Sequence, residues 1–221
     1  AIDIAAQVPH GAVRTYIMGE RGAADVEATE DDRQQMATLV KQALTAGAVG
    51  FTTSRTVLHR SIDGEVVPGT RADELELVAI GQAMQEAGSY VFEVASDLAP
   101  ESGEFAWMDR LVNETNCRVT FACVQNDEDP AQWQRLLDQA AKHGSGIYPQ
   151  VAARPPGVLM CLDGTHPFSA RPSYQAIADL PLAERVRKMR EPQIREKILA
   201  ESLPNSAKLL RLLFIEGKIM E

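Results

Sequence analysis

The chain has 221 residues, enough for one domain or a large part of one. Its 45% hydrophobic and 24% charged residues fit a protein that buries a core, and no run of about 18 apolar residues offers a membrane span. The formal net charge of -9 argues against nucleic acid and anionic membrane as partners.

The start, Ala1-Ile2-Asp3-Ile4, has neither a basic region nor an apolar stretch, so no signal peptide is expected. Cys117, Cys123 and Cys161 show no paired spacing, which points to reduced thiols in a cytoplasmic protein. Cys123 lies in an apolar run and reads as packing.

In chain order, Ile2–Val8 is the first of five segments that read as buried strands. Pro9–Ala28 follows as a long link. Thr29-Glu30-Asp31-Asp32 resembles a capping box with Asp in the last place. Beyond it Met36, Leu39, Val40, Ala43 and Leu44 recur at helical spacing. Ala48–Thr53 is the second strand, and Ser54–Ala72 the second long link. Glu74–Ala87 is the next helix, through Leu75, Leu77, Val78, Ile80 and Met84. Tyr90–Ala95 is the third strand. Glu104–Thr115 is a helix carrying Phe105, Met108, Leu111 and Val112. Arg118–Val124 is the fourth strand. Asp129-Pro130 supplies a cap and a first-turn proline ahead of Trp133, Leu136, Leu137 and Ala140. Ile147–Ala152 is the fifth strand.

Gly47, Gly88 and Gly144 each stand between a helix and a strand, where a left-handed residue is wanted. Helix-to-strand links are therefore short. Strand-to-helix links are mostly long, Arg154–Pro172 included. In parallel α/β folds ligands bind outside the carboxyl ends of the strands, so the long links are the place to look for function. The apolar runs suit a parallel sheet covered on both faces. After Pro172 the strand signal stops. Leu182–Arg190 and Gln193–Ala200 read as charged helices divided by Glu191-Pro192, and Ala207–Phe214 as a third. The expected organisation is a partial barrel over residues 1–171 and a C-terminal helical extension over 172–221.

Gly47-Ala48-Val49-Gly50-Phe51-Thr52-Thr53-Ser54-Arg55, with Val67-Pro68-Gly69-Thr70 after it, resembles the N-acyl-D-amino-acid deacylase (D-aminoacylase) branch of the amidohydrolase superfamily. Pro9-His10-Gly11-Ala12-Val13-Arg14 is similar to a Gly-His-x-x-Leu-Arg segment of that family, with Pro in place of Gly. The resemblance implies a metal-dependent (β/α)8 TIM-type barrel beside a small β-sandwich, the five strands here standing as barrel strands three to seven. A barrel of this type takes eight strands and about 250 residues, so an internal piece of a longer chain is expected, with a homo-oligomer or the remainder of the parent as partner. The resemblance further implies hydrolysis of the C–N amide bond of a small-molecule N-acyl amino acid. Zinc is the cofactor implied for the full-length family. None is expected in this chain alone. It has no His-x-His pair, and Val94-Ala95-Ser96-Asp97 and Val124-Gln125-Asn126-Asp127 put no histidine at two strand ends.

Amide hydrolysis needs an activated water, a stabiliser of the developing oxyanion and a proton donor for the leaving amine. An α-carboxylate suits a bidentate guanidinium. The link Ser54–Arg71 begins at a strand end and carries Ser54, Arg55, His59, Arg60 and Arg71. In one reading Arg55 or Arg60 holds the substrate carboxylate and His59 moves a proton. In the other the link is solvated and its arginines pair with Asp63, Glu65 and Asp73. His10 and Arg14 follow the first strand, and the resemblance makes His10 a second catalytic candidate. Gln150 and Arg154 bracket the end of the fifth strand, and His166 lies in the link beyond it. These three complete the substrate-binding candidates, each with an ordinary structural reading beside it. Asp97, Asn126 and Asp127 are strand-end polar groups whose oxygens suit harder cations than zinc. Glu93 is a charge inside an apolar strand. It either points into the barrel, towards an arginine such as Arg154, or pairs within a helix layer. His143 ends a helix, where a cation favours the dipole.

Two other functions stay open. One is a non-catalytic module, flavodoxin-like in outline, that binds a small anion at its strand ends. No GxGxxG or Walker pattern supports a nucleotide version. The other is a metal-free hydrolase using His59 or His10 as base, for which no G-x-S-x-G elbow speaks.

Overall fold

The computed structural model describes residues 2–61, 64–98, 102–124, 129–153, 160–164 and 166–202. Arg154, Asn126, Asp127 and the expected helix Ala207–Phe214 lie outside them. By their contacts the described residues separate into two units, one up to residue 153 and one from residue 160.

Strands and helices alternate through the first unit. The strands are β1 (Val8–Pro9), β2 (Phe51–Arg55), β3 (Val91–Ser96), β4 (Arg118–Ala122) and β5 (Ile147–Gln150). The helices are α1 (His10–Met18), α2 (Glu20–Ala23), α3 (Glu30–Thr45), α4 (Glu74–Glu86), α5 (Glu104–Thr115) and α6 (Gln132–Lys142). All pairings are parallel and the sheet order is β1-β2-β3-β4-β5. An order that follows the sequence has no reversal point, which a doubly wound sheet requires. The arrangement is that of a partial (β/α)8 barrel, and the flavodoxin-like alternative is corrected.

Burial alternates along the strands. Phe51, Phe92, Val94, Val119, Phe121 and Ile147 face the helices and join one core with Met36, Val40, Leu77, Ile80, Met84, Met108 and Leu111. Phe51 and Phe92 lie 5.1 Å apart between ring centroids, and Phe92 and Trp107 6.1 Å. The opposite residues, Thr52, Ser54, Glu93, Ala95 and Thr120, are half-buried, and Ala122, Tyr148 and Gln150 are exposed. The expected cover on both faces is therefore corrected: one face is packed and the other is open and polar. Apolar strand runs hid this, because the open face carries small and amphipathic groups among the hydrophobic ones.

Two expectations near the start also change. Ile2 and Ile4 are exposed, so the first strand shrinks from Ile2–Val8 to Val8–Pro9. Pro9–Ala28 is not a loop, since α1 starts at His10. Its inward residues are His10, Val13, Arg14 and Met18, a helical stripe whose polar members concealed the periodicity. Asp129-Pro130 does not cap α6, whose N-cap is Ala131 with no side-chain bond.

The other punctuation holds. Gly47, Gly88 and Gly144 all have positive φ, and Asn116 takes the left-handed place between α5 and β4. At α3 the Thr29 N–H donates to Asp32 Oδ2 at 2.8 Å and the Asp32 N–H donates to Thr29 Oγ1 at 3.2 Å, a reciprocal capping box. The Arg21 guanidinium donates to the same carboxylate at 2.9 Å. The Arg21 bond, against burial and with help from Thr29, brings the Asp32 carboxyl down from 3.8 to about 2. A depressed carboxylate stabilises the fold above its unfolded value and loses that contribution on acidification. Stability is thus expected to fall between pH 3.8 and about 2 through this group. Asp32→Asn should flatten that part of a pH series of urea midpoints; an unchanged slope would contradict it.

The second unit holds α7 (Pro172–Gln175), α8 (Leu182–Met189) and α9 (Pro192–Ala200) around Tyr174, Ile177 and Ile198. Arg171 donates to the carbonyls of Ile198 and, at 3.1 Å, Leu199, closing the end of α9. The Glu201 carboxylate accepts from the Ser173 N–H at 2.9 Å and from its hydroxyl at 2.6 Å. No helix among the described residues is long and apolar enough to cross a membrane.

Candidate functional site at the carboxyl end of β2

Three polar residues end strand β2 and Thr56 follows it, and the four go to different places. Thr53 faces the helices, buried, with its Oγ1 2.8 Å from His10 Nδ1. Ser54 is on the open face, and its Oγ lies 2.8 Å from Nδ1 of the exposed His59. Arg55 donates from Nε to Glu104 at 3.0 and 3.1 Å and from Nη1 to the Ala72 carbonyl at 2.7 Å. Its guanidinium stands 5.3 Å from the Trp107 ring centroid. Thr56 donates its hydroxyl to Asp97 at the end of β3.

The link after β2 is anchored at both ends. Asp97 also accepts from the Val57 N–H at 3.0 Å. Further on, Arg60 and Val66 form a bridge, and Arg60 donates to the Gly64 carbonyl at 2.6 Å. At the far end the Asp25 carboxylate accepts from the N–H groups of Gly69 at 2.7 Å and Arg71 at 2.9 Å. Gly69 has a φ of 96°, and a Cβ there would lie 2.6 Å from His10 Nδ1. Only glycine combines that backbone with so close an approach.

Beneath the link lies a buried ionic group. His10 Nε2–H donates to Glu76 Oε1 at 2.5 Å, and Arg14 donates to the same oxygen at 2.6 Å and to Oε2. Arg14 also donates to the Val26 carbonyl. Its Nε is 3.8 Å from Asp25 Oδ1. Burial opposes the charged carboxylate, but bonds and charges from His10 and Arg14 outweigh it, and Glu76 titrates below the ordinary range. Glu76 escaped the sequence reading because Asp73 and Glu76 have the spacing of a capping box. The Glu76 N–H does bond Asp73 at 2.8 Å, but its carboxylate turns into the core.

The candidate residues thus part company. Ser54 and His59 are in contact and accessible. His10 is buried within the ionic group. Arg55 is committed to Glu104, and Arg60 stabilises its own turn. Gln150 shares the open face of the sheet. His166 belongs to the second unit, buried against Tyr174 at 4.5 Å between ring centroids. Burial, and then the Arg185 charge, lower its pKa. Glu93 faces the open side rather than a helix layer. His143 is 2.8 Å from Asp109 and stacked on Phe105, the structural reading of that residue.

The sequence matches the family described as Amidohydrolase family over residues 1–204. The chain belongs to the amidohydrolase family. No curated protein and no solved structure matches it significantly. A hydrolase role of the general amidohydrolase kind follows, and the family is generally metal-dependent. In this amidohydrolase, no three His, Cys, Asp or Glu side chains among the described residues converge to hold a metal ion. Asp97, a strand-end oxygen donor, is already taken up by Thr56 and Val57. The described residues therefore do not fit a zinc site.

Proposed function

We propose that this amidohydrolase chain belongs to an enzyme that hydrolyses the C–N amide bond of N-acyl amino acids, as an N-acyl-D-amino-acid deacylase does, that Ser54 and His59 meet the substrate, and that the chain by itself binds without turnover. The carrying observation is the 2.8 Å contact between Ser54 Oγ and His59 Nδ1 on the exposed side of the β2 end. When the Ser54 hydroxyl donates to Nδ1, the neutral ring carries its proton on Nε2. On the exposed ring of His59 this neutral Nε2–H is a donor that can hold the acyl oxygen, whereas protonating the departing amine takes the imidazolium form, in which Nδ1–H donates to Ser54 Oγ. Positioned proton donors of this kind contribute about 10²–10⁴-fold to such reactions. Zinc belongs to this reading as the family's cofactor.

The test is binding first and turnover second. N-acetyl-D-amino acids titrated into the chain should shift the His59 ring resonances. Ser54→Ala and His59→Ala should each weaken binding by about tenfold, the worth of one hydrogen bond of roughly 1.4 kcal/mol. The chain alone should show no turnover, with or without added zinc. Equal affinity in the His59→Ala protein would sink the assignment, and robust turnover would overturn the expectation that the chain alone only binds.

A further inference from the structure

The open face of the sheet carries a row of polar side chains that the reaction above does not use. The register pairs Thr52 with Glu93, Glu93 with Thr120, and Thr120 with Tyr148. Paired residues in a parallel ladder lie on one face, so Thr52 and Thr120 flank Glu93 from the neighbouring strands. Ser54 lies on the same face, two residues along β2 from Thr52, towards the strand ends.

The chemistry of this row is incomplete. Among the described residues Glu93 has no hydrogen bond and no ion pair. It is half-buried, yet its oxygens are not among the sealed polar atoms. Thr120 Oγ1 is shut off from solvent and has no partner. Thr52 also has none. A half-buried carboxylate whose oxygens still reach solvent is free to take a cation, and a buried hydroxyl without a bond is costly. By contrast the other carboxylates at this end of the sheet are satisfied: Glu104 by Arg55, Asp97 by Thr56 and Val57, Glu76 by His10 and Arg14.

We propose that Thr52, Glu93 and Thr120 form a binding site for a primary ammonium group. A single carboxylate between two hydroxyls offers one negative charge and three acceptor groups in a line. Neighbouring strands are about 4.8 Å apart, so an ion seated over Glu93 has both hydroxyls within side-chain reach. A primary ammonium has three N–H donors and one positive charge, which matches that set. A divalent cation fits less well, because it takes six or more oxygens and usually more than one carboxylate. The ammonium balances the charge of Glu93, which has no cation among the described residues, and gives Thr120 a donor once its hydroxyl, sealed in the free protein, turns towards the ligand.

The inference deepens the function proposed above and rests on it for the substrate. It makes the preferred substrate an N-acyl amino acid whose side chain ends in an amine, with the amide near Ser54 and His59. Binding of the ammonium itself is separable from that reading.

The experiment therefore has two arms, both on the full chain. In the first, n-butylammonium and the neutral n-butanol are titrated against the protein by NMR. Butylammonium should shift resonances of residues 52, 93 and 120 and bind at least tenfold more tightly than butanol. Glu93→Gln should remove that preference, and Thr120→Val should weaken butylammonium binding several-fold. Glu93→Gln is nearly isosteric on an open face, and its unchanged denaturation midpoint shows that folding is intact. In the second arm N-acetyl-D-lysine is compared with N-acetyl-D-norleucine. The lysine derivative should bind at least tenfold more tightly, and Glu93→Gln should bring the two together. Equal binding of butylammonium and butanol, or a preference that survives Glu93→Gln, overturns the ammonium site and leaves the Ser54–His59 reading standing. Butylammonium binding at Glu93 without any N-acyl amino acid binding supports the site and overturns the deacylase reading.

Discussion

Glu76→Leu is expected to destabilise the protein by about 3–5 kcal/mol, the cost of leaving one partner of a buried ion pair uncompensated. Arg14 and Glu76 are each 1% exposed at the side chain. Arg14 sits on α1 and Glu76 on α4, so their bond ties two helices on either side of β2. Removing the carboxylate strands the guanidinium and takes the acceptor from His10 Nε2. Asp25, 3.8 Å from Arg14 Nε, remains as an anionic neighbour but is beyond hydrogen-bond distance and does not replace the two bonds from Glu76. The double variant Arg14→Met, Glu76→Leu should recover most of the loss, because it removes both buried charges together. The urea midpoints of the two single variants and the double variant measure this directly. A double variant as unstable as Glu76→Leu would show that the charge pair is not the source. Since Glu76 titrates below its ordinary value, the wild-type contribution is present near neutrality and is lost on acidification below the usual carboxylate range. The Glu76→Leu protein should lack that part of the acid sensitivity.

Phe92→Ala should cost about 3–5 kcal/mol, the usual range for a large aromatic removed from a packed core. Phe92 is fully buried and stands between Phe51 and Trp107. Its truncation opens a cavity between β3 and the helix layer. The adjacent residue provides the contrast. Glu93→Gln on the open face should change stability by less than about 0.5 kcal/mol. Denaturation curves of the two variants, one residue apart, would therefore separate widely. Comparable losses would mean that the open face is as tightly packed as the helix face, contrary to the alternation of burial along β3.

What could be read from the sequence followed how local the determinants were. Thr29 and Asp32 are three residues apart and fix the start of α3 by themselves. Glu104–Thr115 was legible in full because Phe105, Met108, Leu111 and Val112 carry its periodicity. The parallel sheet was legible because its strands are short apolar runs between helices. Helix α1 was not, since His10 and Arg14 fill its inward stripe and look like surface residues until Glu76 is seen opposite. Glu76 is 62 residues from Arg14, and no local pattern joins them. Ile2 and Ile4 misled for the opposite reason: β-branched residues favour strands, but these two find nothing to pack against.

For the candidate site, Ser54 and His59 are five residues apart, and their pairing was within reach of a sequence reading. Arg55 was expected to hold substrate, but an alternation argument alone would have turned it towards the helices, where Glu104 waits at the start of α5. The open row of Thr52, Glu93 and Thr120 depends on the register of three strands, which only the fold supplies.

The double anchoring of the link after β2 has a consequence for how the family can diversify. Asp97 holds its beginning and Asp25 its end, and both belong to parts of the fold outside the link itself. The described residues of the Arg60–Val66 turn between them bond within the link and take none of the sheet's hydrogen bonds. Apart from the buried Val66, its described side chains can therefore vary without disturbing the barrel strands. That turn can be exchanged as a cassette, with the two aspartates serving as fixed splice points.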